Sequence, residues 1–494
     1  MKDISLITIN EKDNVAVALH EIKSGETHNG IIILNDIPFG HKVALKNISK
    51  GENIIKYGFP IGYAKNDIKE GEHVHTHNLH TNLNDIIEYK YNPINTKNNI
   101  RTDDNIFFDG YKRVDGKVGI RNEVWIIPTV GCVNNTVKTL ENMASKKYGN
   151  RCDGIFAYTH NMGCSQTGDD QIITQKLLSG IIKNPNAGGV LIVSLGCENN
   201  NLDVFKPFFK GIDENKIRFL ITQEVEDEYE EGMKYLDELT KYASSFKREK
   251  VPIKYLTIGF KCGGSDAFSG ITANVVCGKL NNIFIKNGGS SILTETPEMF
   301  GAETILMSRA ANKKVFNELV SLINDYKNYF KKYGETIYEN PSPGNKKGGI
   351  STLEEKSLGC VQKGGTSTIE DILDYGEYIS KNGLNILKGS GNDQVSCTNL
   401  TASGANIILF TTGRGTPFGS IVPTLKISSN SNLYQKKNNW IDFNAGKVLE
   451  NIPVDDIVNE LFELVINVAS GKIQTKNEKN GYKEISIFRD GIIL

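Results

Sequence analysis

Four of the chain's eight histidines lie within ten residues, in the stretch GEHVHTHNLH at 71–80. His73, His75 and His77 are spaced two apart. Because side chains of an extended strand alternate between its two faces, this spacing predicts three imidazoles on one face of a strand. Imidazoles bind metal ions and carry protons near neutral pH. The run predicts a metal site formed by all three histidines, or an acid/base pair of His75 and His77. A solvated polar strand is the alternative.

Cysteines form a second group with chemical potential, since four apolar runs each end in a glycine–cysteine or cysteine–glycine pair. The runs are EVWIIPTVGC (123–132), GIFAYTHNMGC (154–164), GGVLIVSLGC (188–197) and KYLTIGFKCGG (254–264). Ligands of parallel sheets bind at the carboxyl ends of the strands, so Cys132, Cys164, Cys197 and Cys262 are expected near one edge. We take Cys164, Cys197 and Cys262 as metal-ligand candidates, for soft iron or for an iron–sulfur cluster, and Cys360 as a further thiol. Small residues packed under tight turns are the alternative.

Five other residues have the types that a catalytic site requires. His160 and Glu298 follow apolar runs or lie in glycine-rich stretches, where a side chain could move a proton. Arg121, Asp266 and Arg414 are candidates for binding a substrate, and Arg414 lies in the glycine-rich stretch FTTGRGTPFGS (410–420). Arginine can grip a carboxylate in a bidentate manner. The alternatives are a histidine buried by packing and arginines in surface ion pairs.

The apolar runs define the elements that must position these residues. Continuous apolar runs predict strands buried on both faces, and the amphipathic stretches between them predict crossover helices of a parallel sheet. The fold class is therefore α/β. Short β-branched runs separated by turn residues predict a small β-rich domain at 1–95, followed by an Asn-rich linker at 96–110. We divide the remainder into an α/β domain at 111–345, which carries the strand-end Gly-Cys turns, and a C-terminal α/β domain at 346–494.

Composition limits the class of protein. The chain has 494 residues, 39% of them hydrophobic, and a formal net charge of −1. A net charge near zero produces no overall electrostatic attraction for nucleic acid or an anionic membrane, so neither is predicted as a partner. The N-terminal stretch lacks the apolar core of a signal peptide, and the apolar runs are too short to span a bilayer. Eight scattered cysteines suit a reduced, cytoplasmic protein, with the oligomeric state left open and a homo-oligomer among the options.

Motifs along nearly the whole chain carry a family likeness. They are GEHVHTHN, GIRNEVWIIPTVGCVN, HNMGCSQTGDD, GCENN, CGGSDAFSGITAN, ETPEMFGAE, NPSPGNKKGGISTLEEKSLGC and FTTGRGTPFGS. In this order they resemble the altronate and galactarate dehydratase family, which also includes sulfolactate sulfo-lyases. The resemblance implies a β-rich SAF-type N-terminal domain and a large α/β catalytic portion. Lys261 and Val275 depart from residues typical of the family, so Lys261, Cys277 and Cys397 receive no predicted role.

The resemblance also implies the reaction. We expect a hydro-lyase that uses a divalent metal, with Fe²⁺ as first choice and Mn²⁺ as second. The expected substrate is D-altronate and the product 2-dehydro-3-deoxy-D-gluconate, in hexuronate catabolism. Galactarate or sulfolactate is the alternative substrate within the family. An iron–sulfur redox protein is the alternative of a different class.

Overall fold

The structure is a computed structural model that describes residues 5–83, 86–94, 106–450 and 452–491. Most of the linker predicted at 96–110 lies outside the described residues. Its last four residues, 107–110, belong to the strand Phe107–Lys112. That strand pairs with Arg248–Pro252, which follows the four-stranded unit described below along the chain.

The N-terminal unit is built from short antiparallel strands, as the alternating β-branched runs predict. Its strands are Leu6–Ile7, Val15–Ala18, Thr27–His28, Ile31–Ile32, Lys42–Ala44, Asn53–Lys56, Phe59–Ala64, His73–Val74 and Leu79–His80. Tight turns join them, and Gly71 shows why glycine is needed. It has φ +84°, and a Cβ there would lie 2.0 Å from the carbonyl oxygen of Ile32.

A four-stranded parallel sheet forms the second unit. The strand order across it is Ile155–Ala157, Glu123–Pro128, Ala187–Ser194 and Ile217–Ile221. The helices around it are Asn134–Tyr148, Gly168–Lys183, Leu202–Phe205 and Glu228–Ser244. The central strands are buried along their whole length, which explains their unbroken apolar sequence. Beside this sheet, Val118–Gly119, Phe107–Lys112 and Arg248–Pro252 form a small antiparallel sheet.

The third unit is a seven-stranded sheet in which every neighbouring pair is parallel. Its order is Ile369–Leu373, Leu384–Leu387, Ser290–Leu293, Thr257–Cys262, Ile407–Thr412, Thr424–Ser428 and Phe443–Asn444. Its helices are Ala273–Lys286, Glu303–Met307, Lys313–Lys332, Pro343–Lys347, Leu353–Cys360, Asp393–Ala402, Ser431–Lys436, Val454–Ala469 and Lys476–Lys479. No helix in the described ranges is long and apolar enough to cross a lipid bilayer.

Two corrections follow from this topology. The sheet takes strands from both sides of the boundary predicted at 345/346, so that boundary cuts through one hydrogen-bonded sheet. The strand ending in Cys262 belongs to this sheet, whereas those preceding Cys132, Cys164 and Cys197 belong to the four-stranded one. The four cysteines therefore do not gather at one edge. The physical reason is that an apolar run reports burial and does not say which sheet the strand joins.

Buried ion pairs fasten the N-terminal unit to the third unit. Lys42 Nζ lies 2.9 Å from Glu355 Oε2, and Lys56 Nζ lies 2.8 Å from Glu355 Oε1. Lys42 Nζ also donates to the carbonyl of Gly349 and to Ser351 Oγ, both at 2.8 Å. All three charged side chains are buried, so the two units are docked through a buried cluster in which two lysines share the carboxylate of Glu355.

Candidate functional site

Two thiols and a carboxylate meet at the carboxyl end of the seven-stranded sheet. Cys262 ends a strand, Glu298 lies in the turn Thr296–Met299, and Cys360 ends the helix Leu353–Cys360. The two Sγ atoms are 3.4 Å apart, and each lies 3.1 Å from Glu298 Oε2. Within the described residues this is the one group of three His, Cys or carboxylate ligand atoms that lie within 4.8 Å of one another. Such a donor set suits a thiophilic divalent metal.

Buried charges of both signs surround this group. Lys356 Nζ contacts Glu298 Oε1 at 2.6 Å, Lys363 Nζ contacts Glu295 Oε2 at 3.0 Å, and Lys261 Nζ contacts Asp393 Oδ1 at 3.0 Å. Lys261 also pairs with Glu295. Three ammonium groups thus face three carboxylates. A divalent cation bound by both cysteines as thiolates would balance the two negative charges that their deprotonation adds, so the donor set fits such an ion.

The pKa shifts follow from these contacts. Burial alone would raise the pKa of Glu298, but Lys356, Lys261 and Lys363 outweigh it and hold that pKa below its usual value. The hydrogen bond with Cys262, followed by burial, raises the pKa of the Cys360 thiol well above its usual value. Glu298 is therefore held as an anion that could ligate a metal, whereas Cys360 would give up its proton only on binding one.

Backbone geometry holds the charge cluster in place. Glu295 has φ 75°, in the left-handed region that non-glycine residues avoid. In this conformation its carboxylate accepts from Lys261, from Lys363 and, at 3.0 Å, from the backbone N–H of Cys262. Gly263 allows Asp393 to approach the strand end, since a Cβ there would lie 2.6 Å from Asp393 Oδ2. Strain held by surrounding contacts is typical of functional sites.

A cleft of about 590 Å³ opens beside the three ligands. Its lining includes Cys262, Glu298 and Lys356, together with hydroxyl, amide and carboxylate groups. Those polar groups belong to Glu339, Asn340, Ser342, Asn345, Asn392, Asp393 and Gln394. Lys346 also lines the cleft and makes no ion pair in the part of the chain that the structure describes. One free cation among many hydrogen-bonding groups suits a small, polyhydroxylated monoanion.

The histidine run folds differently from the predicted strand. Between residues 73 and 77, only His73 and Val74 are in a strand, and a turn closed by the backbone bond from Asn78 N–H to His75 O follows. The rings nevertheless cluster, since His73 stacks at a centroid distance of 5.7 Å on His75 and lies 5.3 Å from His77. The prediction of a three-histidine strand face is therefore wrong, although the three rings do lie together.

A fourth histidine, which the sequence analysis missed, completes this cluster. His41 Nδ1 lies 3.0 Å from His73 Nε2, and His75 Nδ1 lies 2.8 Å from Ser351 Oγ. Burial, reinforced by neighbouring cationic groups, lowers the pKa of His73 and of His75 to about 3, so both are neutral at physiological pH. The ring nitrogens of the cluster do not meet as a triad of ligands, and the described residues that line the cleft include none of these histidines.

His160 and Arg121 have structural partners. His160 is buried, accepts from the Met162 N–H at 3.1 Å through Nδ1, and contacts the Pro128 carbonyl at 2.8 Å through Nε2. Burial lowers its pKa to about 4. Arg121 forms a buried bidentate ion pair with Glu478, at 2.6 and 3.0 Å. Neither side chain has a free polar atom to offer a substrate in this arrangement.

Asp266 and Arg414 also lie apart from the ligand group. The buried carboxylate of Asp266 accepts from Ser269 at 2.9 Å, from Ser429 at 2.7 Å and from Asn430 at 3.0 Å. Arg414 is exposed, and its backbone N–H donates to the carbonyl of Gly264 at 2.9 Å. The structure thus uses Asp266 to shape a loop, and it places Arg414 near the cleft, where the Arg414 side chain has no partner among the described residues. Cys164 and Cys197 are exposed on the four-stranded sheet, away from Cys262.

Sequence reasoning missed the lysines and underrated Cys360. Two signals could have found them. Lysine within the buried run TIGFKC must be paired, which points to Lys261. In STLEEKSLGC, Thr352 caps the helix by accepting from the N–H of Glu355, and Lys356 and Cys360 follow four apart on one helical face.

The fold and the site define an α/β enzyme with a β-rich N-terminal unit and a cysteine–carboxylate ligand set beside a polar cleft. Three family models match consecutive parts of the chain. They are the altronate/galactarate dehydratase SAF domain at 4–82, the D-galactarate dehydratase/altronate hydrolase second domain at 110–244, and the D-galactarate/altronate dehydratase C-terminal domain at 253–493. The third match spans the boundary that we predicted at 345/346, in agreement with the sheet.

Similarity to curated relatives extends over nearly the full length. The chain is 48% identical to altronate dehydratase of Bacillus subtilis (strain 168), over 99% of this chain and 100% of the relative. It is 45% identical to altronate dehydratase of Escherichia coli (strain K12), over 99% of both chains. Identity to galactarate dehydratase (L-threo-forming) of Escherichia coli (strain K12) is 31%, over 98% of this chain and 96% of the relative. The chain therefore belongs to the altronate and galactarate dehydratase family, as its motifs predicted.

Proposed function

We propose that this protein dehydrates D-altronate to 2-dehydro-3-deoxy-D-gluconate and water. The choice of substrate is supported by sequence identity, which is 48% and 45% to the altronate dehydratases but 31% to the galactarate dehydratase. The reaction fits hexuronate breakdown in the cytoplasm, where the eight cysteines, all free in this structure, stay reduced. A homo-oligomer remains a prediction from the sequence.

Dehydration removes the C2 proton and expels the C3 hydroxyl, and the resulting enol becomes a ketone. The C2 proton is weakly acidic because the adjacent carboxylate is already negative. Cys262, Glu298 and Cys360 are the residues that would hold a divalent metal, with Fe²⁺ as first choice and Mn²⁺ as second. When bound there, the metal would supply Lewis-acid stabilisation of the developing dianion.

The chain's own groups supply the remaining roles. Lys346, the cleft cation without an ion pair, binds the substrate carboxylate. Asp393, oriented by its 3.0 Å contact with Lys261, takes the C2 proton and then gives it to the leaving hydroxyl. Lys356, buried against Glu298 at 2.6 Å, adds positive charge where negative charge accumulates. His75 and His77 keep their predicted acid/base role as a separate hypothesis, because His75 Nδ1 contacts Ser351 Oγ, just before the helix Leu353–Cys360 that carries Lys356 and Cys360.

The charge of the cleft favours a monoacid over its rivals within the family. Galactarate carries a carboxylate at each end, and its second carboxylate would need a second free cation. Lys356 is already engaged by Glu298, so the described lining offers Lys346 alone. Burying an unpaired carboxylate costs several kcal/mol. Sulfolactate has only three carbons and would leave much of a 590 Å³ cleft unfilled.

The test is a comparison of kcat/KM for D-altronate, galactarate and sulfolactate after chelation and anaerobic reloading with Fe²⁺. We expect D-altronate to exceed both others by about 10³-fold or more, as unpaired charges discriminate strongly. A higher kcat/KM for galactarate or sulfolactate would refute the substrate. Full turnover in rigorously metal-free protein would refute the metal. Turnover of none of the three, with redox activity instead, would favour the iron–sulfur alternative.

A further inference from the structure

Three exposed cysteines of the four-stranded sheet are not used by the proposed reaction. Cys132, Cys164 and Cys197 each follow a glycine at the carboxyl end of a strand. The strand Glu123–Pro128 lies between Ile155–Ala157 and Ala187–Ser194, so the three loops emerge side by side. Neighbouring strands are about 4.8 Å apart. The three thiols therefore share one edge of one sheet.

Hydrogen bonds tie each loop to the other two. The Gly131 N–H donates to the carbonyl of Met162 at 3.0 Å, which joins the first loop to the second. The Ser165 N–H donates to Asn199 Oδ1 at 2.9 Å, which joins the second to the third. Asn200 Nδ2 donates to the carbonyl of Thr129 at 3.1 Å, which joins the third to the first. The thiol-bearing segments are thus fixed relative to one another.

Close backbone packing adds to this rigidity. A Cβ at Gly163 would lie 2.1 Å from the Thr129 carbonyl oxygen, so the second loop can approach the first only with glycine at this position. Ser165, directly after Cys164, has φ 51° in the left-handed region. Such conformations persist where surrounding contacts hold them and are common at functional sites.

The donor set consists of thiols. Glu198, the neighbour of Cys197, turns inward, where its carboxylate accepts from Ser194 Oγ at 2.6 Å and from the Gly196 N–H at 2.6 Å. It is therefore not free to bind a metal at the surface. Gln223 Nε2 donates to Cys197 Sγ at 3.6 Å, a contact of the kind that tunes metal-bound sulfur.

The spacing of the thiols favours a cluster over a single ion. One tetrahedral ion holds its sulfurs about 3.8 Å apart, as follows from metal–sulfur bonds of about 2.3 Å. In the described residues no three ligand atoms that include these thiols lie within 4.8 Å of one another. In a [4Fe–4S] cluster each cysteine binds a different iron, so the thiolates are held farther apart than around a single ion.

We propose that Cys132, Cys164 and Cys197 bind an iron–sulfur cluster that is separate from the Cys262, Glu298 and Cys360 site. The three thiols release their protons and bind iron as thiolates. The three loops supply no fourth ligand, so one iron faces solvent without a protein ligand from them. This inference does not depend on the proposed reaction, because its readout is cluster content rather than turnover.

The test is anaerobic reconstitution with a mixture of Fe²⁺ and Fe³⁺ and with sulfide, followed by visible absorption, EPR after reduction, and assay of iron and acid-labile sulfide. We expect a brown protein with equal amounts of iron and sulfide. C132S, C164S and C197S should each lose the visible band while their thermal unfolding stays close to wild type, since the side chains are exposed. C152S is the matched control in the same unit, because Cys152 is half-buried and contacts the Gly154 carbonyl at 3.3 Å. It should retain the cluster.

A C262S/C360S double variant separates the two sites, since it should lose turnover and keep the cluster. A visible band that survives in the triple variant C132S/C164S/C197S would overturn the proposal. Iron bound without sulfide would overturn it as well, and so would loss of the band in C262S/C360S.

Discussion

Replacing Glu298 by glutamine tests the metal site and its electrostatics together. Glu298 Oε1 contacts Lys356 at 2.6 Å, and Oε2 faces the thiols of Cys262 and Cys360, each at 3.1 Å. Glutamine keeps the size of the side chain and an acceptor for Lys356, but it removes the negative charge. The substitution therefore changes the ligand and the ion pair without opening a cavity.

The expected loss of stability follows from burial. The side chains of Lys356 and Glu298 are only 8% and 4% exposed. Removing one partner of a buried ion pair costs about 3–5 kcal/mol. Since glutamine still accepts a hydrogen bond and other carboxylates remain in the cluster, we expect the lower end, about 3 kcal/mol, in the free energy of unfolding. Urea unfolding of the metal-free proteins measures it.

Acid titration gives the sign of the charge effect. The lysines hold the folded-state pKa of Glu298 below the usual value of about 4.5. The stability from this carboxylate is present above about pH 4.5 and is lost as the pH falls below it. E298Q should therefore lose less stability than wild type over this acidic range.

Metal binding and turnover complete the experiment. In a C132S/C164S/C197S background, Co²⁺ titration followed by thiolate absorption should show affinity reduced by at least about 100-fold, and kcat should fall at least as much. E303Q is the matched control, because Glu303 forms a second buried pair with Lys327 at 3.1 Å. It should lose similar stability while keeping metal affinity and turnover. Unchanged Co²⁺ affinity and unchanged kcat in E298Q would refute the site.

Three further substitutions test the other assignments. K346Q should lower kcat/KM for D-altronate by about 10–100-fold, because a charged hydrogen bond contributes about 1.5–3 kcal/mol. K347Q, at the exposed neighbouring residue, should leave kcat/KM unchanged. Equal losses in the two variants would show that Lys346 does not bind the substrate carboxylate. E355Q leaves Lys42 and Lys56 buried without a charge partner. Amide hydrogen exchange of the strand Lys42–Ala44 should therefore accelerate as the N-terminal unit undocks. Unchanged exchange rates in this strand would contradict the docking role of Glu355. H75A should lower kcat by about 10²-fold if the His75 imidazole moves a proton. H80A should leave kcat unchanged, because the His80 ring lies against Tyr63. Wild-type turnover of H75A would place the histidine cluster outside the reaction.

Local sequence patterns predicted the elements well where burial decides them. The run EVWIIP predicts a strand buried on both faces, and Glu123–Pro128 is such a strand in a parallel sheet. The short β-branched runs predict a β-rich N-terminal unit, and its sheets are antiparallel. These successes share a cause, since periodicity and turn residues act over a few positions along the chain.

The histidine run shows where local reasoning fails. A spacing of two places side chains on one face only if the backbone stays extended. The chain instead turns after Val74. His41 joins the cluster because it directly precedes the strand Lys42–Ala44, which pairs with His73–Val74. The spacing identified residues that cluster, but the contact itself depends on strand pairing across 32 positions.

The sequence by itself determined the α/β class, the β-rich N-terminal unit and the family, because apolar periodicity, turn chemistry and ordered motifs are properties of the chain. Only the tertiary structure decided which thiols meet. Cys262 contacts Cys360, 98 positions away, while Cys132, Cys164 and Cys197 lie on another sheet. An apolar strand can be buried equally well in either sheet, so its sequence does not choose its neighbours. Crossover connections and the pairing of buried charges such as Lys356 with Glu298 make that choice.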